Sequence, residues 1–162
     1  MSANESSNHE RWMREAIELS LNNVESGNGG PFAALIVKEG VVLARGINRV
    51  TSSNDPTAHA EIVAIREACR ILNSFQLQGC EIYSSCEPCP MCLGAIYWTR
   101  PKALYFAGTR IDAARVGFDD HLIYQELTVP IQARTIPTQQ LLGDEAQSAF
   151  IAWERKSDKV QY

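Results

Sequence analysis

The chain has 162 residues, 45% of them hydrophobic and 21% charged; this balance excludes a disordered protein, and the length suits one domain with a real core. A net charge of −4, from 15 Lys plus Arg against 19 Asp plus Glu, argues against broad nucleic-acid binding, which needs a basic face. No apolar run approaches the roughly 18 residues of a membrane span, and residues 1–10 are polar and unlike a secretory signal, so a cytoplasmic enzyme or binding protein with no membrane partner is expected.

Residues 1–8 read as a flexible tail. From His9 to Glu25, Trp12, Met13, Ala16, Ile17, Leu21 and Val24 recur at helical spacing. The Gly-rich stretch 27–31 ends that helix. Residues 32–37 and 41–48 are rich in strand formers and flank Lys38-Glu39-Gly40, which predicts a hairpin. Residues 49–57 form a polar loop. A helix follows over 58–72, with Thr57 as its N-cap. Residues 81–84 make a short strand before the cysteine cluster. Pro90 suits the first turn of a helix that runs to Thr99. Residues 103–107 are a strand, 108–120 a loop with a helical turn, and 121–127 a helix. A weak strand is expected over 133–136 and a last helix over 144–156, with Ala146, Ala149, Phe150 and Trp153 on one face. No repeat or linker divides the chain. A single α/β domain over 1–162, with some parallel pairing and right-handed crossovers, is the expectation.

The chemistry concentrates in two segments. Five cysteines, an odd number without an export signal, argue against a disulfide framework. Cys89 and Cys92 form a Cys-x-x-Cys pair, which in a reducing compartment is a metal clamp or a redox couple. With Pro90 as the first helical residue, Cys89 is the N-cap and Cys92 the third position, where the helix dipole favours both thiolates. With His59 they make a soft ligand set for one Zn²⁺, and three ligands leave the fourth position to water, as in catalytic sites. Cys86 is close enough to invite a fourth-ligand reading, which would displace that water. Glu61 lies two residues after His59, about 200° away on a regular helix. The two share a pocket only if it lies off the helix end. A carboxylate there contacts the zinc-activated water without ligating the metal, as a proton shuttle must. A structural zinc site has no need of it.

His-x-Glu at one helix start and Pro-Cys-x-x-Cys at another match the pattern of zinc-dependent nucleobase deaminases. The chain resembles the cytidine deaminase-like superfamily, and within it the small bacterial guanine deaminases. The matching residues are 29–32, 55–61, 85–96 and 117–120, with Tyr162 in addition. The resemblance implies a three-layer α/β/α fold around a central mixed five-stranded sheet. It implies hydrolysis of guanine to xanthine and ammonia, with zinc hydroxide as nucleophile and Glu61 as shuttle. It suggests Phe32 stacking on the base, Asn48 bonding its edge, Ala60 and Trp98 lining the pocket, Asp120 accepting from purine N–H groups and Tyr162 closing the site. It further implies a homodimer that exchanges a C-terminal lid of about residues 157–162. Plainer roles stay open: Phe32 or Trp98 in the core, Asn48 in a turn, Asp120 as a cap. The rival functions are deamination of tRNA adenosine or of another nucleobase or nucleoside, and a non-catalytic zinc-stabilised binding protein.

Overall fold

A computed structural model describes residues 3–162; Met1 and Ser2, part of the expected tail, lie outside the described residues. The first helix, α1 (Ala3–Glu25), starts earlier than the expected His9 and ends where Gly27 adopts a left-handed φ of 70°. Strands β1 (Ala33–Lys38) and β2 (Val41–Ile47) form the expected antiparallel hairpin, turned by Glu39 and Gly40, both at positive φ. One helical turn, α2 (Val50–Ser53), interrupts the polar loop. Next come α3 (Ala60–Leu72), β3 (Cys80–Cys86), α4 (Pro90–Thr99), β4 (Ala103–Gly108) and α5 (Arg110–Arg115). The helical turn expected in the 108–120 loop is α5, and Thr109 and Asp112 close its capping box. The chain continues through α6 (His121–Thr128), a 3-10 turn (Ile131–Ala133) and α7 (Gly143–Arg155). It divides into two compact units, Met1–Asp120 and His121–Tyr162.

The first unit holds the sheet, in the order β2-β1-β3-β4. β1 runs antiparallel to both neighbours, and β3 and β4 run parallel. The sheet is mixed, as expected, but has four strands among the described residues, not five. The missing strand is 133–136. There the Thr135 N–H donates to Glu126 Oε2 (2.8 Å) and its hydroxyl to Oε1 (2.9 Å). A local carboxylate thus takes the backbone donor that a sheet ladder would need, and Pro137 has no N–H to offer.

Alternation along β1 builds the layers. Leu35 and Val37 face α1 and pack with Trp12, Ala16 and Tyr83. Ala34 and Ile36 face the other way, onto Ala60, Ala64, Ile65 and Ala68 of α3, with Ile82 and Ile96. Burial of each large aliphatic side chain contributes roughly 1.5–3 kcal/mol. Polar contacts pin α1 as well. His9 Nδ1 lies 2.6 Å from Tyr83 Oη, which donates to Glu81 Oε2 (2.9 Å). Burial, then the Glu81 carboxylate, push the Tyr83 pKa up and keep it a donor.

The close approach of α3 to β2 depends on Gly46. A methyl group there would overlap the Ala60 carbonyl and sit 2.6 Å from the Ala64 backbone nitrogen. Backbone cannot yield as a side-chain tip can, so α3 must move. Gly46→Ala is expected to cost about 1–3 kcal/mol in urea unfolding. Because His59 and Glu61 ride on the start of α3, turnover should fall by about 10²-fold, the cost of roughly 1 Å of misplacement. Wild-type stability and turnover in Gly46→Ala would refute this account of the packing.

Candidate active site

Two helix starts converge. His59 precedes α3 with extended backbone (φ −68°, ψ 156°), and Cys89 precedes α4 in the same way (φ −64°, ψ 168°). Pro90 is the first residue of α4 and Cys92 the third, as the spacing predicts. The start of α3 differs from expectation. Thr57 is not its cap, because the Thr57 hydroxyl and N–H both donate to Asp55 Oδ1 (2.7 and 2.8 Å). That Asx turn delays the helix to Ala60, so His59 is the N-cap residue and Glu61 enters the first turn.

The ligand atoms of His59, Cys89 and Cys92 lie within 4.8 Å of one another. His59 Nδ1 is 3.6 Å from Cys89 Sγ and 3.5 Å from Cys92 Sγ. Tetrahedral zinc, with Zn–N near 2.0–2.1 Å and Zn–S near 2.3 Å, sets nitrogen and sulfur about 3.6 Å apart. The three side chains therefore fit one zinc ion without rearrangement. The neighbours Cys92 and His59 together bring the Cys89 pKa down to about 4. The closeness of Cys89, then burial, pushes the Cys92 pKa up, and contact with Cys89 raises that of His59. One negative sulfur beside an imidazole is a ready cation site.

Glu61 is 6% exposed. Its Oε1 accepts from Ser84 Oγ (3.1 Å), and its Oε2 lies 3.4 Å from Cys92 Sγ. Burial, the largest influence, raises its pKa. A buried carboxylate with a raised pKa that borders a metal-binding triad is suited to take up and release a proton. The Cys86 thiol instead donates to the Thr109 carbonyl (3.6 Å), and burial, then the field of Glu61, push its pKa up to about 11. It stands outside the triad.

The other expected site residues in the first unit fall into distinct settings. Asn48 is buried at the end of β2, and its N–H donates to the Phe32 carbonyl (3.0 Å). Its Oδ1 accepts from Gly30 N (3.4 Å) and Val50 N (3.3 Å). Phe32 packs against the core at its base and meets Phe118 edge-on, with centroids 4.9 Å apart. Partial burial, then the field of Cys89, raise the Asp120 pKa, which sets this carboxylate within electrostatic reach of the triad. Ala60 is fully buried in the core, and Trp98 is 63% exposed on α4, which removes a core role for Trp98. Tyr162 belongs to the second unit.

Two contributors, Ser84 and Asn23, belong to no sequence motif, and Phe118 lies in the matching stretch 117–120 without an expected role there. Asn23 Nδ2 of α1 bridges the Gly30 and Asn48 carbonyls (2.8 and 3.0 Å). A polar residue on the apolar face of a strand or helix is the signal that marks Ser84 and Asn23. For Phe118 the signal is its place in the 117–120 stretch.

Residues 6–108 match the family described as the cytidine and deoxycytidylate deaminase zinc-binding region, a span that holds His59, Glu61, Cys89 and Cys92. The chain belongs to this family. It is 53% identical over 155 residues to guanine deaminase from Bacillus subtilis, covering 96% of this chain and 99% of that one. The crystal structure of the Bacillus subtilis guanine deaminase superposes with a TM-score of 0.93 at 52% identity, over 95% of this chain and 98% of that one. Similarity to tRNA-specific adenosine deaminase from Aquifex aeolicus is 48% over 77 residues, only 48% of this chain and 51% of that protein. Membership brings the α/β cytidine deaminase-like fold and a zinc-binding centre. No helix among the described residues is long and apolar enough to cross a membrane.

Proposed function

We propose that this chain is a zinc-dependent guanine deaminase that converts guanine and water to xanthine and ammonia. The observation that carries the reading is Glu61: a buried carboxylate beside the triad is superfluous in a structural zinc site and essential in a hydrolytic one. The near-full-length similarity to a guanine deaminase supports the substrate.

His59 Nδ1 and the sulfurs of Cys89 and Cys92 would hold the zinc. Bound zinc lowers the pKa of water toward 7 and so supplies a nucleophile at neutral pH. Glu61 takes the water proton at Oε2, passes it to ring N3 and then serves the departing amine. One carboxylate suffices because each proton it releases is one it has taken up. Since Asn48 Oδ1 is committed to backbone, its Nδ2 amino group faces the acceptors of guanine, O6 and N7. Asp120 complements it by accepting from ring N–H groups. Phe32 stacks on the base, held edge-on by Phe118. Trp98 and the backbone of Ala60 complete the lining.

Both units serve one deaminase domain spanning 1–162, and residues 157–162 with Tyr162 form a lid exchanged across a homodimer. None of the helices in the second unit has a buried residue, while Leu122, Ile123, Phe150 and Trp153 stand exposed. In the first unit, Tyr97 and Trp98 are exposed too. Apolar faces of this kind suit burial against a second copy of the chain. Removing residues 159–162 should impair guanine turnover and leave zinc and fold intact. Mixing that truncated chain with full-length Glu61→Gln should restore activity. No rescue in verified mixed dimers would assign the tail to its own subunit. Five free cysteines accord with a cytoplasmic site of action.

Ammonia release from guanine, guanosine, adenine, cytosine, cytidine and a tRNA anticodon stem tests the substrate. Guanine should lead adenine and cytosine by at least about 10²-fold, because the wrong base leaves buried polar groups unpaired. Asp120→Ala should lose much of that margin. Faster reaction with anticodon adenosine would overturn the reading.

A further inference from the structure

We propose that Ser84 is a positioning residue that holds the Glu61 carboxylate in one orientation, with Oε2 turned toward the ligand triad. The inference rests on the reading of Glu61 as proton carrier. Ser84 lies on β3 with Ala34 of β1 and Phe106 of β4 as its register partners. In the pleat it shares a face with Ile82, which packs in the α3-side core, while Tyr83 between them packs on the α1 side. The α3 side of the sheet is apolar there, so a hydroxyl needs a partner. Ser84, 2% exposed, donates to Glu61 Oε1 at 3.1 Å.

That bond has a chemical consequence. The terminal torsion of a glutamate is broad, so an unanchored carboxylate interchanges its two oxygens. Donation from Ser84 engages Oε1 and turns Oε2 toward Cys92, 3.4 Å away. Ser84 therefore keeps Oε2, rather than Oε1, turned toward the ligand triad.

The test compares zinc-loaded Ser84→Ala, Ser84→Thr and Glu61→Gln proteins. Ser84→Ala should lower kcat for guanine by about 10–100-fold, the worth of one hydrogen bond to a charged group. KM should stay within about twofold to threefold and zinc at one per chain, since the hydroxyl touches neither base nor metal. Ser84→Thr, which keeps the hydroxyl, should restore most of kcat. Adding Ser84→Ala to Glu61→Gln should cost nothing further, because Ser84 acts through Glu61. A crystal structure of zinc-loaded Ser84→Ala should show the Glu61 carboxylate rotated or in more than one orientation. Wild-type kcat in Ser84→Ala, equal losses in the Ala and Thr variants, or an unmoved carboxylate would overturn the proposal. Near wild-type turnover in Glu61→Gln would instead overturn the reading beneath it.

Discussion

Replacing Glu61 with glutamine is expected to lower guanine turnover by about 10²–10⁴-fold, the usual contribution of a general acid–base group. The variant should keep one zinc per chain. Glutamine matches glutamate in shape, and its carbonyl oxygen still accepts from Ser84 Oγ, the bond seen at 3.1 Å. An amide, however, cannot take a proton from water and return it to the ring. Glu61 is not one of the three residues whose ligand atoms cluster, so zinc should be unaffected. Nor should the melting temperature fall. Burial raises the pKa of the native carboxylate, so ionisation is costlier in the folded state than in the unfolded one. A neutral side chain avoids that cost at pH 7. Metal analysis beside steady-state kinetics decides the matter: near wild-type turnover with full zinc would rule out the shuttle.

The double variant Cys89→Ser, Cys92→Ser should lose zinc and turnover together. Hydroxyls are poor ligands for a metal that selects thiolates. Zinc binds the folded chain and not the unfolded one, so the variant also loses the stability that binding confers. At free zinc of 10²–10³ times Kd this is about 3–4 kcal/mol. A chelator provides the matching control. It should lower the melting temperature of the wild type and leave the double variant unmoved. Full zinc in the double variant would refute the ligand assignment, which rests on Nδ1-to-sulfur distances of 3.5 and 3.6 Å.

The residues behind both predictions are legible in the amino-acid sequence, because the features that place them are local. Pro90 presets the first turn of α4, which makes Cys89 its cap and puts Cys92 in that turn whatever the rest of the chain does. The sequence places His59 and Glu61 near a helix start after Asp55-Pro56 but takes Thr57 for the cap, and the bonds from Thr57 to Asp55 move that start to Ala60. The hairpin turn is likewise marked locally by Gly40, which takes positive φ without strain. The α/β class follows from the same short-range patterns.

Only the tertiary structure decided what depends on register and on competition between partners. Residues 133–136 read as a strand that Pro137 bounds; what takes the Thr135 donor from a ladder is Glu126, nine residues away. Ser84 and Glu61 are 23 residues apart, and their bond needs β3 in one register and α3 seated on Gly46. A slip of one residue would turn Ser84 to the opposite face of the sheet. Phe118 meets Phe32 edge-on, a contact between residues far apart in the chain that the 117–120 stretch does not specify by itself. The amino-acid order thus singles out the side chains that meet at the two helix starts, since helix starts and turns are set largely by the few residues around them. The fold determined how the central carboxylate is held, since that contact exists only once distant strands and helices have packed.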